Sequence, residues 1–501
     1  MTDKETKTSN AQTHNIRAAK TIVDTVKSTL GPMGMDKMMV DGGGNVIVTN
    51  DGATILRELD VAHPGGKMIV EVAKAQESLC YDGTTSTVVL AGQLLSNSES
   101  LFEKGLHPNV ICRGYHEAAQ MATQYLAEHK IDTTDEEVYL HVAKTAITGK
   151  TLENALNDVA QLCVDAVSKA GDAESVRVLP LPGGSLDESY LFEGVVINKD
   201  FTLEYDIPEH PYMMILNTGL EMEKSEENVS VQLDAQSYQQ FKKSGKDDIL
   251  TQAKKIVEVF PKQGGILFVR DSVNDHVCAY LKKHNVGVVR RVPESTLKSL
   301  SKLTGATIHQ TIDDVEQSIP CTIHRERHND VWYIFMQGEI NSDEATLILR
   351  GATNHTLEEV ERGFDDALGV VSLVMSDGKV VYGGGCSYIA MAAHLRNHAA
   401  SIGGRAQMAI EAFADALEVI PATIAENAGH DPLDTVLAMR HETLNGNVWM
   451  GPDVQDGGLT DFRELCVYEP LELVKQAVLG ASEVAIAMLR IDDIIGRKQL
   501  E

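Results

Sequence analysis

The chain of 501 residues sets 44 Lys and Arg against 73 Asp and Glu, a formal net charge of −29 that repels nucleic acid and anionic membrane surfaces and argues against both as partners. At this length a single hydrophobic core gives way to several domains. Seven cysteines, an odd number without a CxxC pair, speak against a disulfide framework or structural zinc and for a reducing, cytoplasmic setting; no apolar leader and no bilayer-length apolar run is legible.

In chain order, a polar start expected to fray leads into an amphipathic helix over Asn15 to Leu30, with Ile16, Ala19, Ile22, Val23 and Val26 on its apolar side and Gly31-Pro32 as its stop. Lys37–Val40 and Asn45–Thr49 flank Gly42-Gly43-Gly44 as a hairpin, and Asp51-Gly52 opens a short helix over Thr54 to Leu59. Residues 67–131 and 392–441 repeat Ala, Leu, Val and Met at three- and four-residue intervals and predict long helices. The middle differs. Runs at 195–197, 213–216, 265–269, 287–292, 331–336 and 345–349 predict short strands, several alternating with helical stretches. The fold class expected is multidomain α and α/β, with an α/β body inserted between the two halves of a largely helical one. Gly183-Gly184-Ser185 and Gly351-Ala352-Thr353 stand as turn or hinge points beside the insertion, and Glu221 to Lys255 reads as a charged surface projection. Leu357 to Val374 predicts a helix with one apolar stripe, Leu357, Val360, Phe364, Leu368 and Val371.

The chemistry gathers at turns. The run Tyr81-Asp82-Gly83-Thr84-Thr85-Ser86-Thr87 precedes the apolar stretch Val88 to Leu95 and reads as a helix start, either a simple Asp/Thr cap or a phosphate and metal site. In the second reading Gly83 allows close approach, Thr84, Thr85 and Ser86 add hydroxyls to the free N–H groups, and Asp82 holds magnesium. No Walker A motif exists, because Lys144 stands where its first glycine belongs ahead of Gly149-Lys150-Thr151. A nucleotide would instead need several separate turns, and Leu30-Gly31-Pro32 and Gly383-Gly384-Gly385 are the others on offer. Asp366 lies opposite its helix's apolar stripe, on a face that is either solvated or a place to orient or deprotonate water, with Asp51 as a possible helper. Phosphoanhydride hydrolysis needs mainly positioning and charge neutralisation, which two carboxylates, one magnesium and several N–H donors supply. The histidines show no ligand spacing.

Several motifs stand in order along the chain: Thr29-Leu30-Gly31-Pro32-Met33-Gly34-Met35-Asp36-Lys37, Asn50-Asp51-Gly52-Ala53-Thr54, Asp82-Gly83-Thr84-Thr85, Thr148-Gly149-Lys150, Asp366-Ala367-Leu368, Gly383-Gly384-Gly385, Ala425-Glu426-Asn427-Ala428-Gly429, Glu469-Pro470-Leu471 and Arg490-Ile491-Asp492-Asp493. Over nearly its whole length the chain resembles the group II chaperonins, the archaeal thermosome subunits most of all. The resemblance implies an equatorial ATP-binding domain in two pieces (1–135 and 377–501), an intermediate domain in two (136–200 and 350–376), and an apical client-binding domain (201–349) with a helical lid protrusion near 221–258. It implies that Leu30, Gly31, Pro32, Gly83, Thr84, Thr85 and Ser86 hold ATP phosphates, Asp82 the Mg2+, and Gly384 and Glu469 the nucleoside. Lys150 would sense the γ-phosphate, and Asp366 and Asp51 would act on the attacking water. Its partners would be unfolded protein clients and further subunits, like or paralogous, in a double ring.

Departures accompany the likeness. Cys80-Tyr81 replaces the usual Val-Gly before Asp82, Tyr382 replaces the usual Pro before the triple glycine, and His210-Pro211-Tyr212-Met213 lacks the final Pro of the usual apical entry. Tyr81 and Tyr382 raise a second expectation, a weakly hydrolysing structural or regulatory subunit of a mixed ring.

Overall fold

The computed structural model describes residues 3–40, 44, 46–150, 152, 155–221, 249–315, 317–338 and 343–493. Gly42-Gly43 of the expected hairpin turn, Thr151, and residues 222–248 of the expected projection lie outside them. The chain divides into two compact units, Met1–Val167 with Glu358–Glu501, and Ser168–Leu357, so a body built from both ends of the sequence is interrupted by an inserted one.

The first unit is helical, and its axis is the helix Thr84–Glu103. Val88, Leu90, Ala91, Leu94 and Leu95 are fully buried, so the stretch 88–92 is apolar on every side and sits at the centre of a bundle. The helices Asp3–Val26, Pro64–Cys80, Gly404–Leu417 and Leu471–Leu489 pack around it. Glycine makes one of these approaches close: a Cβ on Gly92 would overlap Val23. The first helix starts well before the expected Asn15, and a 3-10 turn at Lys27–Thr29 follows it. Asn354–Asp377 forms the expected long helix, with Leu357, Val360, Phe364, Leu368 and Val371 buried. A small antiparallel sheet sets Lys379–Tyr382 between Ile131–Asp132 and Tyr468–Pro470, with Val381 opposite Glu469.

In the second unit Ile308–His309, Tyr212–Leu216, Gly265–Val269 and Val286–Val289 run parallel in that order, and Ile319–Pro320 pairs antiparallel with Tyr212–Leu216. Side chains alternate between two cores, Met213, Ile215, Ile266 and Phe268 on one face, Met214, Leu216, Leu267 and Val269 on the other, which is why these strands read as unbroken apolar runs. Two three-stranded sheets complete the unit. One holds Thr322–His328, Val331–Gln337 and Val195–Ile197, the other Arg177–Pro182, Thr346–Gly351 and Tyr190–Phe192. The two expected glycine turn points meet, since Gly183 N–H donates to Gly351 C=O at 2.8 Å. Residues 249–259, the tail of the expected projection, are helical. No helix among the described residues is long and apolar enough to cross a membrane.

Candidate functional site

The N-terminus of the buried helix Thr84–Glu103 is uncapped. Gly83 occupies the cap position at φ 78° without a side-chain acceptor, so the first-turn N–H groups keep their partial positive charge for another anion. Asp82 does not cap the helix, because its Oδ1 accepts from Gly83 N–H at 2.8 Å. Gln76 Nε2 steadies this turn from below, donating to the Asp82 carbonyl (3.1 Å) and the Leu473 carbonyl (3.2 Å). Thr84 is buried, whereas Thr85 and Ser86 are half-buried.

Other turns close around this start. Asp51 caps the short helix Gly52–Glu58, its Oδ1 accepting from Ala53 N–H at 3.1 Å and its Oδ2 from Thr54 N–H at 2.8 Å. A Cβ on Gly52 would overlap the Thr85 hydroxyl, so the glycine lets the Asp51 turn lie against the start of the helix Thr84–Glu103. Asn50 Nδ2 donates to the Gly149 carbonyl at 2.7 Å. Gly149, at φ 80°, leaves only 2.9 Å between a would-be Cβ and Pro32 Cα, which ties the Lys150 turn to Leu30-Gly31-Pro32. Asn427 Nδ2 fixes that last turn through the carbonyls of Leu30 (2.8 Å) and Lys27 (3.1 Å).

Lys150 bridges the carboxylates. Its Nζ lies 2.5 Å from Asp366 Oδ2 and 4.0 Å from Asp82 Oδ1, with the Lys150 and Asp366 side chains 17% and 19% exposed. Asp366 is therefore not on a solvated face. Burial pushes its carboxyl up to about 8, with Lys150 pulling the other way and Asp82 and Asp51 adding to the rise. Burial pulls the Lys150 ammonium down, but Asp366, Asp82 and Asp51 outweigh it and hold it above the ordinary lysine value. Three carboxyl groups thus surround one ammonium, and when all three are ionised their surplus negative charge suits a hard divalent cation. Among the described residues no three His, Cys, Asp or Glu side chains cluster to hold a metal. A magnesium ion carried by phosphates needs only one or two carboxylates, and Asp82, one-third exposed at the mouth of the N-terminus, fits that need.

The nucleoside candidates adjoin this centre. Glu469 Oε1 accepts from Gly384 N–H at 3.2 Å, and burial raises its carboxyl to about 7, with Gly384 opposing and Asp82 adding. Gly384 has φ 59°, and a Cβ there would overlap the Phe462 ring. Leu473 links the two regions, since a Cβ on Gly83 would stand 2.9 Å from it. Sequence reasoning missed Asn50, Asn427, Gln76 and Gly52 as site residues. Asn50, Gly52 and Asn427 stood inside recognised motifs, whereas Gln76 sits within a plain helical repeat and gave no signal.

Tyr81 sits in the left-handed region at φ 63°, ψ −23°, as the C-terminal cap of Pro64–Cys80. An L-residue with a Cβ there costs on the order of 1–2 kcal/mol relative to glycine. Its side chain lies on Gly369 of the helix Asn354–Asp377. Tyr382 packs beside Tyr468 with ring centroids 5.8 Å apart.

A family model described as the TCP-1/cpn60 chaperonin family matches residues 22–499. The chain is 40% identical over 508 residues to a thermosome subunit of Methanopyrus kandleri, across 98% of this chain and 92% of that protein. It is 39% identical over 505 residues to a thermosome subunit alpha of Halobacterium salinarum, across 98% of this chain and 89% of that one. A thermosome subunit alpha of Thermoplasma acidophilum is 38% identical over 506 residues, across 98% and 92%.

Proposed function

The chain belongs to the TCP-1/cpn60 chaperonin family, and from that premise we propose that it is an ATP-driven group II chaperonin subunit that encloses unfolded proteins and assists their folding in a double ring. The observation that carries the nucleotide part is the convergence of the Leu30-Gly31-Pro32, Asn50-Asp51-Gly52, Asp82-Gly83-Thr84-Thr85-Ser86 and Gly149-Lys150 turns on Asp366. Each turn is held by the others, so the cradle is preorganised by backbone.

In this reading the N–H groups and hydroxyls of Thr84, Thr85 and Ser86, with the backbone of Leu30 and Gly31, hold the phosphates of ATP. Asp82 would hold a magnesium ion, which would supply charge neutralisation to the phosphates. Lys150 turns from Asp366 toward the terminal phosphate, which frees the Asp366 carboxylate to orient water and take its proton. Asp51 adds negative charge nearby while fixing its own turn. Gly384 and Glu469 meet the nucleoside. The domains are those the resemblance implies: equatorial 1–135 and 377–501, intermediate 136–200 and 350–376, apical 201–349 with a lid protrusion near 221–258. Lys150 and Asp366 then belong to the intermediate domain and Asp82 to the equatorial one, so phosphate contacts bias how the two close.

Ring assembly, with like or paralogous subunits, draws support from the hairpin Lys37–Val40 and Val46–Thr49. Met38, Val40, Val46 and Val48 share one face and are 72%, 66%, 41% and 44% exposed, an apolar surface on a two-stranded unit that is marginal alone. The setting proposed is cytoplasmic. The strained backbone of Tyr81 favours, as a second reading, a weakly hydrolysing member of a mixed ring. Native mass with and without Mg·ATP, together with steady-state phosphate release, separates the two. A closed assembly of this chain alone that hydrolyses ATP supports the first; a small oligomer with negligible turnover supports the second.

A further inference from the structure

Two residues that are each locally unfavourable meet in one contact beside the carboxylates. Tyr81 carries a bulky side chain at φ 63°, where glycine is the natural choice. Gly369 interrupts the middle of the helix Asn354–Asp377, where alanine would be the better helix former. A Cβ on Gly369 would overlap Cγ and Cβ of Tyr81, atoms next to the Tyr81 backbone that cannot swing aside. Gly369 is buried, and Tyr81 fills the notch it leaves.

The position of this seat gives it meaning. Tyr81 immediately precedes Asp82, and Gly369 lies three residues past Asp366, close to one helical turn along the same helix. The seat therefore joins the segment of one carboxylate to the helix of the other, on the two sides of Lys150, whose Nζ is 4.0 Å from Asp82 and 2.5 Å from Asp366. We propose that Tyr81, seated on Gly369, is a positioning residue that fixes the separation of Asp82 and Asp366 across Lys150. In this role its ring acts as a spacer between two backbones. The proposal rests on the reading of these carboxylates as the ATP-hydrolysing centre.

The test compares the parent with Tyr81→Phe, Tyr81→Gly, Gly369→Ala and the double variant Tyr81→Gly/Gly369→Ala, all as full chains. Thermal unfolding without nucleotide reads the seat itself. Gly369→Ala should lower Tm in the parent and raise it in the Tyr81→Gly background, a reversal of sign that simple loss of packing does not produce. Steady-state kinetics with Mg·ATP read positioning. Tyr81→Gly should lower kcat about fivefold or more with KM within about twofold, the double variant should stay low, and Tyr81→Phe should match the parent because the ring is kept. A Tm that falls equally in both backgrounds overturns the seat. Unchanged or raised kcat in Tyr81→Gly, or a Tyr81→Phe as poor as Tyr81→Gly, overturns positioning by the ring. If the parent itself shows no hydrolysis, the nucleotide reading fails and takes the positioning role with it, while the reversal in Tm still identifies the contact as purely structural.

Discussion

Replacing Asp366 with Asn tests the centre most sharply, because its expected effects on turnover and on binding have opposite signs. The exchange keeps the shape facing Lys150 Nζ at 2.5 Å but removes the charge. Loss of a positioned general base lowers turnover about 10²- to 10⁴-fold, or roughly 3–5 kcal/mol in the barrier. Phosphate binding should move the other way. One carboxylate fewer within several ångströms of a phosphate is worth on the order of 1–2 kcal/mol between the dielectric of water and that of a protein surface, hence about 5- to 30-fold tighter binding. Because burial raises Asp366 to about 8, that gain should be absent near pH 6.5, where the parent carboxyl is already neutral, and present near pH 9. Single-turnover phosphate release measures the first effect, and calorimetric titration with ATP in chelator at the two pH values measures the second. The stability of the apo protein supplies a third sign. A carboxyl raised on folding binds its proton more tightly in the native state, so its contribution to stability falls as pH rises from about 4 to 8, and Asn should remove that slope. Turnover within threefold of the parent, or binding that weakens at pH 9, would refute the assignment.

Three further outcomes follow from the contacts around it. Gly52→Ala drives a methyl into the Thr85 hydroxyl, so ATP affinity should fall about tenfold, roughly 1.4 kcal/mol, with helical circular dichroism retained; unchanged affinity would detach this turn from the phosphates. Asn427→Ala leaves the Leu30 and Lys27 carbonyls without their amide donor, which should cost about 1–3 kcal/mol in denaturant unfolding and raise KM for ATP more than it changes kcat. Met38→Lys combined with Val48→Lys places like charges directly opposite on the exposed hairpin face, and native mass spectrometry should then find subunits in place of rings; persistence of the large assembly would remove this hairpin from the interface.

What could be read from the sequence divides along a physical line. Elements with a strong period were legible: the stripe Leu357 to Val371, the buried runs of the parallel sheet, and the hairpin Lys37 to Thr49. Elements without one were not. Thr322–His328 is an edge strand whose side chains include His324, Arg325, Glu326, Arg327 and His328, a composition that protects an open edge and hides the strand from hydrophobic patterning. Arg177–Pro182 is only half-buried along most of its length and carries two prolines. The site shows the same division. Glycine turns announced themselves singly, but nothing local in Leu30-Gly31, Asp51-Gly52 or Gly149-Lys150 says that they touch, because contacts over such sequence distances are set by helix packing.

That dependence explains why the centre accepts Tyr81. The parts that meet phosphate in the proposed function are mostly backbone groups and short hydroxyl side chains, and their positions derive from the buried helix Thr84–Glu103 and from three amides, Asn50, Gln76 and Asn427, that grip carbonyls elsewhere in the chain. Strain on the order of 1–2 kcal/mol at one residue is small beside packing on that scale, provided the neighbour across from it gives way. Gly369 is that neighbour. Tyr81 puts the bulk in the turn before Asp82, and Gly369 leaves the matching gap on the helix that carries Asp366.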